Sequence, residues 1–428
     1  GNLKMHRVNT ERFNSALRAA AIGLSLGLAL SACGGGGGSD LSSPSSAPAT
    51  APAPTPIPTP TPTPPTYTIG GTVTGLTAGQ TVALQNDGGD TLAVSANGAF
   101  TFTTAQQSNT AYSVTVSSEP TGRTTCTVSN GSGTVTSANV GNVVVSCVTQ
   151  HFAYVTNQSN TVSQCSVSAT TGALSNCIDS GGTGFSTPYG IALSTNGSYA
   201  YVENYSNNTV SLCSADAATG VLASCASTGS GFSGPLGAAL SPSGSYAYVV
   251  NYNNSTVSQC SVSTTGSLSN CASTGSGFSN PDGVALSANG RYAYVSNQGS
   301  SSVTQCSVDA ITGALTNCAS TGSAFSFPWG VALSANGSYA YVANLGDDTV
   351  TQCSVNATTG ALANCAGTGT GFSGPLGLAL SANGSYAYVV NQNNNTVSQC
   401  SVNGTTGVLT NCASTGSGFS SPAGVAIN

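Results

Sequence analysis

One sequence unit occurs six times between His151 and Asn428. A tyrosine holds the same position in every unit and recurs at intervals of 47, 47, 46, 47 and 47 residues. The tyrosines are Tyr154, Tyr201, Tyr248, Tyr294, Tyr341 and Tyr388. Each unit contains four runs of β-forming residues, which in the second unit are Gly190–Ser194, Tyr199–Glu203, Thr209–Ala215 and Val221–Cys225. A repeated four-stranded unit of this length is typical of a β-propeller blade, so the sequence predicts an all-β fold with a six-bladed propeller over 151–428.

The two ends of the repeat region complement each other. The first unit begins at its tyrosine-containing strand and lacks the Pro-x-Gly strand that precedes this strand elsewhere. The last unit ends on such a strand, at 422–428. We therefore expect the C-terminal strand to pair with 151–157 and to complete the first blade. Closure of this kind removes exposed sheet edges, which invite aggregation.

Twelve of the 15 cysteines lie in the repeats, two to each unit, on the predicted third and fourth strands. The pairs are Cys165/Cys177, Cys213/Cys225, Cys260/Cys271, Cys306/Cys318, Cys353/Cys365 and Cys400/Cys412. With Cys165 opposite Cys177, the hairpin loop is Thr170-Thr171-Gly172, and the shorter third unit leaves the loop Thr265-Gly266. The deletion falls in the loop and keeps the cysteines opposed. This pattern predicts cross-strand disulfides at non-hydrogen-bonded positions, where opposed Cβ atoms are closest.

The alternatives to disulfides have less support. A tetrahedral metal site would need a histidine or further cysteines near each pair, and redox catalysis favours Cys-x-x-Cys spacing. The repeats contain neither pattern. The sequence therefore predicts no metal site and no cofactor. Asp347, Asp348 and Glu203 are interpreted as surface acids, with calcium binding as the alternative.

The segment Tyr154-Val155-Thr156-Asn157 and its variants resemble the YVTN-repeat family, which is related to lactonase-type propellers. The resemblance covers the whole repeat region and implies a propeller, although many members have seven blades. Lactone hydrolysis needs a base or metal-bound water together with charge stabilisation. The repeats contain no lysine, one arginine (Arg291) and one histidine (His151). No catalytic residue can therefore be carried over from the family.

Two sets of loops are expected on one face of the propeller, and the units differ most at these loops. One set carries the variable residue of Pro-x-Gly, and the other follows the second strand with asparagine-rich tips. Variable loops on a constant scaffold are typical of binding surfaces. The candidate ligand-binding residues are Tyr189, Leu236, Asp282, Trp329, Leu376, Tyr205 and Tyr252. Aromatic and amide side chains would suit a neutral polar ligand such as a glycan; alternatively, these loops are solvated turns and Trp329 closes the channel.

The N-terminal residues predict export. Only 4% of residues are charged, and four of the six basic residues fall within the first 18 positions, so no basic surface remains for nucleic acid. A basic region, an apolar run and small residues form a signal peptide over 1–32, with Met5 as a candidate start. Leu30-Ser31-Ala32-Cys33 resembles the lipobox of bacterial lipoproteins. This resemblance implies lipidation of Cys33 and, with Gly34 following, an outer-membrane location; the alternative is an ordinary signal peptide with an unmodified cysteine.

Two further segments precede the repeats. Residues 33–66 are rich in Gly, Ser, Pro and Thr and predict an extended linker. Residues 67–148 contain short β-patterned runs and predict a small β-sandwich that resembles Ig-like modules. Turns at Asn86–Gly89 and Asn97-Gly98 are suited to tight hairpins. Cys126 and Cys147 are expected to pair within this domain.

These features together favour a cell-envelope lipoprotein that presents the propeller as a binding or display module. We expect a monomer, anchored to the membrane through Cys33, with a glycan or protein ligand and no nucleic-acid partner. The alternative is a lactonase-like hydrolase of the periplasm or cell surface. A purely structural envelope protein is a third hypothesis.

Overall fold

A computed structural model describes residues 63–428. Within this range the chain forms 34 strands and one short 3₁₀ helix, Gln298–Ser300. No helix in this range is long and apolar enough to cross a membrane. The predicted signal peptide (1–32), Cys33 and the linker as far as residue 62 lie outside the described residues. The last linker residue, Thr66, already belongs to a strand and pairs with Gln107, so the predicted linker is slightly too long.

The first domain is a β-sandwich. Its strands are β1 (Thr66–Tyr67), β2 (Ile69–Thr74), β3 (Val82–Asn86), β4 (Asp90–Val94), β5 (Gly98–Thr101), β6 (Gln106–Gln107), β7 (Ala111–Ser118), β8 (Thr124–Ser129), β9 (Ser132–Thr134) and β10 (Val140–Thr149). Two four-stranded sheets, β5-β2-β10-β8 and β4-β3-β7-β9, enclose a common apolar core. Ile69 and Val143 of the first sheet and Leu84 of the second are fully buried in that core. The predicted sandwich is therefore present, and its likeness to Ig-like modules stays a prediction.

The two predicted sandwich hairpins differ in outcome. Asn86 pairs with Asp90, and Asp87 and Gly88 both adopt positive φ, as a tight hairpin requires. Asn97-Gly98, in contrast, connects β4 to β5, which belong to different sheets. The Asn97 side chain bonds both the N–H and the C=O of Leu76 at 2.8 Å. The hairpin predicted there is wrong, because the turn carries the chain from one sheet to the other.

Six four-stranded sheets form the propeller. The first blade contains β11 (Phe152–Asn157), β12 (Thr161–Val167) and β13 (Leu174–Asp179). The second to sixth blades contain, from the innermost strand outward, β14–β17 (Pro188–Leu193, Tyr199–Asn204, Thr209–Ala215, Leu222–Thr228), β18–β21 (Pro235–Leu240, Tyr246–Asn251, Thr256–Val262, Leu268–Thr274), β22–β25 (Pro281–Leu286, Tyr292–Asn297, Ser302–Val308, Leu315–Thr321), β26–β29 (Pro328–Leu333, Tyr339–Asn344, Thr349–Val355, Leu362–Gly367) and β30–β33 (Pro375–Leu380, Tyr386–Asn391, Thr396–Val402, Leu409–Thr415). The last strand, β34 (Pro422–Ile427), pairs with β11 and completes the first blade. The predicted six blades and their closure are confirmed.

Uncharged hydrogen bonds join each blade to the next. The repeated tyrosine on every second strand is fully buried, and its hydroxyl donates to a glycine carbonyl in the outer hairpin of the following blade. The donor–acceptor pairs are Tyr154–Gly220, Tyr201–Gly266, Tyr248–Gly313, Tyr294–Gly360, Tyr341–Gly407 and Tyr388–Gly172, at 2.6–2.8 Å. Burial raises the pKa of each of these tyrosines to about 12, so the hydroxyls remain donors across the physiological range.

All seven predicted disulfides are present, and each joins Cα atoms 4.0 or 4.1 Å apart. The predicted hairpin register in the blades is wrong by one residue. In the first blade the loop spans four residues, 169–172, closed by bonds between Ser168 and Ala173. The third blade has a three-residue loop, 264–266. Each loop is therefore one residue longer than the cysteine spacing predicted.

A β-bulge in the outermost strand compensates for the longer loop. In the first blade Asn176, which has φ 50°, is the extra residue, so Cys165 lies across from both Asn176 and Cys177. The direct opposition predicted for the blade cysteines is therefore wrong, because the second cysteine of each pair shares its place in the ladder with the bulge residue before it. The six second cysteines are also partly exposed, whereas their partners are fully buried; they are Cys177, Cys225, Cys271, Cys318, Cys365 and Cys412. Cys126 and Cys147 of the sandwich do face each other directly.

The strand directions assign the loops to two faces. The upper face carries the loops between second and third strands and the loops that enter each innermost strand. The lower face carries the loops between first and second strands and the disulfide-bonded outer hairpins. Arg291 and His151 both lie on the lower face, at the start of a second strand. Arg123 of the sandwich contacts Gly197, which is also on the lower face. The upper face is therefore left without a basic residue among those described.

Candidate functional site

A cavity of about 230 Å³ opens at the centre of the upper face, and we call it the axial cavity. Its lining residues are Tyr189, Tyr205, Leu236, Tyr252, Asp282, Gln298, Trp329, Leu345, Leu376 and Gln392. Five blades contribute two residues each: the variable residue of Pro-x-Gly, and the residue that follows the asparagine ending the second strand. The structure brings together all seven residues that the sequence nominated. That they bind a ligand stays a prediction.

Three lining residues, Gln298, Leu345 and Gln392, escaped the sequence analysis. Each occupies the repeat position that Tyr205 and Tyr252 hold in their own blades, directly after the last residue of the second strand. That shared position was the signal that could have found them. The first blade departs from the pattern, because Ala423 is fully buried and does not reach the cavity.

Aromatic side chains form one wall of the axial cavity. The Tyr189 ring meets the Tyr205 ring edge-on at 5.6 Å between centroids, and lies tilted 33° to the Trp329 ring at 5.9 Å. Trp329 is only 6% exposed. A second, narrower space of about 70 Å³ lies among the innermost strands, and Leu236, Asp282 and Trp329 border both spaces. These three side chains therefore form the layer between the upper opening and the channel beneath it.

Asp282 is the polar centre of this layer. It is 1% exposed, and neither carboxyl oxygen has a hydrogen-bond partner among the described residues. Burial without a compensating partner disfavours the charged form and raises the pKa of Asp282 to about 8. The pKa values of Tyr189 and Tyr252 are raised by burial and by neighbouring groups that include Asp282. The Asp282 carboxyl is therefore close enough to interact with both phenol groups.

The cavity has a polar side and an apolar side. On the polar side, the Tyr252 hydroxyl donates to Gln298 Oε1 at 3.1 Å, and the Tyr205 hydroxyl donates to Asn253 Oδ1 at 3.3 Å. Among the described residues the Tyr189 hydroxyl makes no such bond, so it is available to a ligand. The apolar side is formed by Trp329, Leu345 and Leu376. A molecule in this space would meet polar groups from the second to fourth blades and apolar groups from the fifth and sixth.

Glu203 is not the surface acid that the sequence predicted. It is fully buried on the second strand of its blade, neither carboxyl oxygen has a partner among the described residues, and burial raises its pKa well above the usual value. Thr156 and Ser296 hold the same position in the first and fourth blades, where their hydroxyls donate to the carbonyls of Tyr189 and Trp329 in the next blade. A protonated Glu203 offers the same kind of donor to its own neighbouring blade.

The other two acids differ from Glu203. Asp347 and Asp348 are exposed, as predicted. Asp347 accepts a hydrogen bond from the Thr349 hydroxyl at 2.7 Å, and Asp348 accepts one from the Gly374 N–H at 2.6 Å. Both side chains therefore order upper-face loops. Within 63–428 no three His, Cys, Asp or Glu side chains are grouped as metal ligands would be.

Comparisons with known proteins agree on the architecture. The family model described as lactonase, 7-bladed β-propeller, matches four overlapping stretches, 125–281, 159–328, 226–368 and 324–427. The comparison with curated proteins gives no match.

Solved structures match over 65% of the chain. A Bacteroides fragilis protein provisionally described as a 6-phosphogluconolactonase is 16% identical, with 98% of its own chain covered and a TM-score of 0.49. The periplasmic gluconolactonase PpgL of Pseudomonas aeruginosa is 18% identical, with 99% covered and a TM-score of 0.49. A chain of the nidogen/laminin complex is 12% identical, with 98% covered and a TM-score of 0.51, which supports the fold alone.

The family match extends through all six repeats and covers well over half of the sequence. The expected relationship to lactonase-type propellers is thereby confirmed, with one difference in blade number: the family is described as seven-bladed, whereas residues 151–428 form six blades. This chain belongs to the lactonase, 7-bladed β-propeller family.

Proposed function

We propose that the protein hydrolyses a lactone in the axial cavity. The observation that carries this proposal is Asp282, a buried and unpartnered carboxyl with a pKa of about 8 in a cavity walled by aromatic rings. A general base is most effective when its pKa lies near the working pH, and burial is a common way of raising a carboxyl to that range. Family membership supports the hydrolase over a module that only binds.

The reaction can be written with these groups. The Asp282 carboxylate takes a proton from a water molecule as the water oxygen bonds to the lactone carbonyl carbon. The ring C–O bond then breaks, and the departing ring oxygen takes the proton from Asp282, which leaves a hydroxy acid. The Tyr189 hydroxyl, raised in pKa and without a protein partner, is placed to donate to the carbonyl oxygen as negative charge develops there.

The charges around the cavity favour a neutral substrate. Its ten lining residues include no Lys, Arg or His, and the two basic residues of the propeller lie on the lower face. A phosphate group would have to shed its hydration without a cation to receive it, beside a carboxyl that ionises near pH 8. We therefore propose an uncharged lactone, of a size compatible with about 230 Å³.

We place this activity in the cell envelope. The signal-like segment 1–32 and the seven disulfides support export to an oxidising compartment. Lipidation at Cys33 would hold the protein at the membrane, with residues 34–62 as a spacer. An outer-membrane location rests on the lipobox resemblance.

A second candidate function, binding of a neutral glycan, is favoured by one observation. Tyr189 and Trp329 present aromatic surface beside the amide side chains of Gln298 and Gln392, a combination suited to the faces and hydroxyls of a sugar ring. The same cavity would serve both functions, so turnover must be separated from binding.

The test compares wild type with Asp282→Asn. Turnover of δ-valerolactone is followed by acid release, and binding by fluorescence of Trp329, the only tryptophan of the chain. We expect Asp282→Asn to bind with unchanged affinity and to lose about a hundredfold in kcat. Because the base must be deprotonated, wild-type kcat/KM should rise about tenfold per pH unit up to about pH 8 and then level off.

The control for this test is Asp347→Asn, which removes an exposed acid outside the cavity and should leave turnover unchanged. Turnover that survives Asp282→Asn would contradict the assigned base. Wild-type protein that binds sugars through Trp329 but hydrolyses no lactone would establish the second candidate instead.

A further inference from the structure

Phe327 is an exposed aromatic residue in a backbone conformation that disfavours it. Its side chain is 53% exposed and its φ is 46°. Positive φ is uncommon for any residue except glycine, and for a bulky side chain it is a departure that the surrounding structure must enforce. Neither the family match nor the blade architecture requires a large apolar side chain on this part of the upper face.

The other blades show which residues this position ordinarily holds. The equivalent residues all have φ between 44° and 58°, and every one is small or polar: Thr187, Gly234, Asn280, Gly374 and Ser421. Asn and Gly tolerate this conformation best. The fifth blade therefore has an aromatic residue where the fold is satisfied by asparagine or glycine.

The loop opposite Phe327 is shaped to accommodate the ring. A Cβ built on Gly346 would lie 2.6 Å from Phe327 Cδ2, so only glycine leaves room there. In the third and sixth blades the sizes are reversed, with Gly234 beside Asn253 and Gly374 beside Asn393. The two positions thus exchange bulk between blades, and in the fifth blade the bulk is aromatic.

Phe327 is joined directly to the axial cavity. Its carbonyl accepts the N–H of Leu345 at 3.2 Å, and Trp329 follows two residues later. Leu345 and Trp329 both line the apolar side of the cavity, opposite Tyr252 and Gln298. The exposed ring therefore continues the apolar side of the cavity outward onto the upper face.

We propose that Phe327 forms an outer subsite for an apolar substituent carried by the lactone, so that the substrate class is a neutral lactone with an alkyl or acyl chain. This inference rests on the proposed function for the ring that occupies the cavity. The cavity holds the lactone ring between Asp282 and Tyr189, and the chain leaves along Leu345 to lie against Phe327. A space of about 230 Å³ accommodates the ring, and the outer subsite accommodates the rest.

The test uses two probes, δ-valerolactone, which is a bare ring, and δ-decalactone, which carries a pentyl chain. Affinities are measured by Trp329 fluorescence in full-length Asp282→Asn protein, and initial rates in the protein with Asp282 intact. We expect δ-decalactone to bind about tenfold more tightly than δ-valerolactone, from burial of part of the chain. Phe327→Asn should abolish that preference, raise KM for δ-decalactone about tenfold and leave δ-valerolactone unchanged.

Two features keep the test specific. Phe327→Asn copies Asn280, which has φ 44° in the fourth blade, so the thermal midpoint should not fall. Ile311→Thr is the matched control: Ile311 is an 86% exposed residue of a lower-face hairpin, where Thr358 and Thr405 stand in the next two blades. It removes exposed apolar surface without approaching the cavity and should change neither affinity.

Failure of this inference is distinguishable from failure of the proposed function. Equal affinities for the two probes, or a preference that survives Phe327→Asn, would overturn the outer subsite even if both lactones are hydrolysed. A preference that depends on Phe327 without turnover of either lactone would instead support the subsite and remove the hydrolase.

Discussion

Two buried acids, Asp282 and Glu203, make the fold sensitive to pH in an unusual direction. Burial raises both pKa values, so the folded protein retains protons that the unfolded chain has already released. Sequence analysis nominated Asp282 by its repeat position but misplaced Glu203 at the surface. The second strands are buried on both faces between adjacent blades, so the alternation of side chains along the strand carries no information about exposure.

Replacing Glu203 with glutamine should stabilise the protein at neutral and alkaline pH. The stability that Glu203 provides is fully present below its unfolded pKa, near 4.5, and is lost progressively as the pH rises toward its higher folded pKa. Glu203→Gln removes that loss, so its free energy of unfolding should equal that of wild type at pH 4 and exceed it by a few kcal/mol at pH 8. Denaturant unfolding at both pH values checks this. A Glu203→Gln protein that is less stable than wild type at pH 8 would show that the carboxylate is stabilised where it lies.

At the scale of single elements, the outer hairpins show how far spacing alone can predict a structure. The cysteine spacing predicted every cross-link but not the register, because a longer loop and a bulge leave the same number of residues between the cysteines. The bulge residue has positive φ in all six blades and is asparagine in five, including Asn176 and Asn317. The second blade has Ser224 instead, at φ 52°.

Ser224→Asn should therefore stabilise the second blade. Asparagine tolerates the left-handed conformation better than serine, and the other five blades show that it fits the bulge. We expect a gain of roughly 0.5 kcal/mol in the free energy of unfolding, measured with the disulfides intact. The reverse change, Asn317→Ser, should cost a similar amount in the fourth blade. Opposite signs would mean that side-chain contacts outweigh backbone conformation at this position.

For the whole molecule, the six-blade count has a consequence at the centre of the ring. The innermost strands lie so close together that each Pro-x-Gly glycine packs against the backbone of the next blade. A Cβ on Gly283 would lie 2.6 Å from the Trp329 carbonyl oxygen, and one on Gly330 equally close to that of Leu376. Repeat spacing predicted six blades and their closure, but this requirement could not be predicted, because it arises only when six strands meet around one axis. The same close approach positions Asp282 and Trp329 at the floor of the axial cavity.

Gly330→Ala tests whether the ring depends on that approach. The backbone of Gly330 has ordinary φ, so the added methyl group is opposed only by its surroundings, the Leu376 carbonyl at 2.6 Å and the Leu378 nitrogen at 3.1 Å. Both are backbone atoms of the adjacent innermost strand and cannot turn aside as a flexible side chain would. We expect a loss of about 1–3 kcal/mol in the free energy of unfolding. Gly404→Ala is the matched control, because Gly404 also has ordinary φ and a Cβ built on it would have no atom within 4 Å; it should be neutral or slightly stabilising. Equal thermal midpoints for the two variants would mean that the blades can separate at little cost, and the cavity floor would then be adjustable rather than set by the blade count.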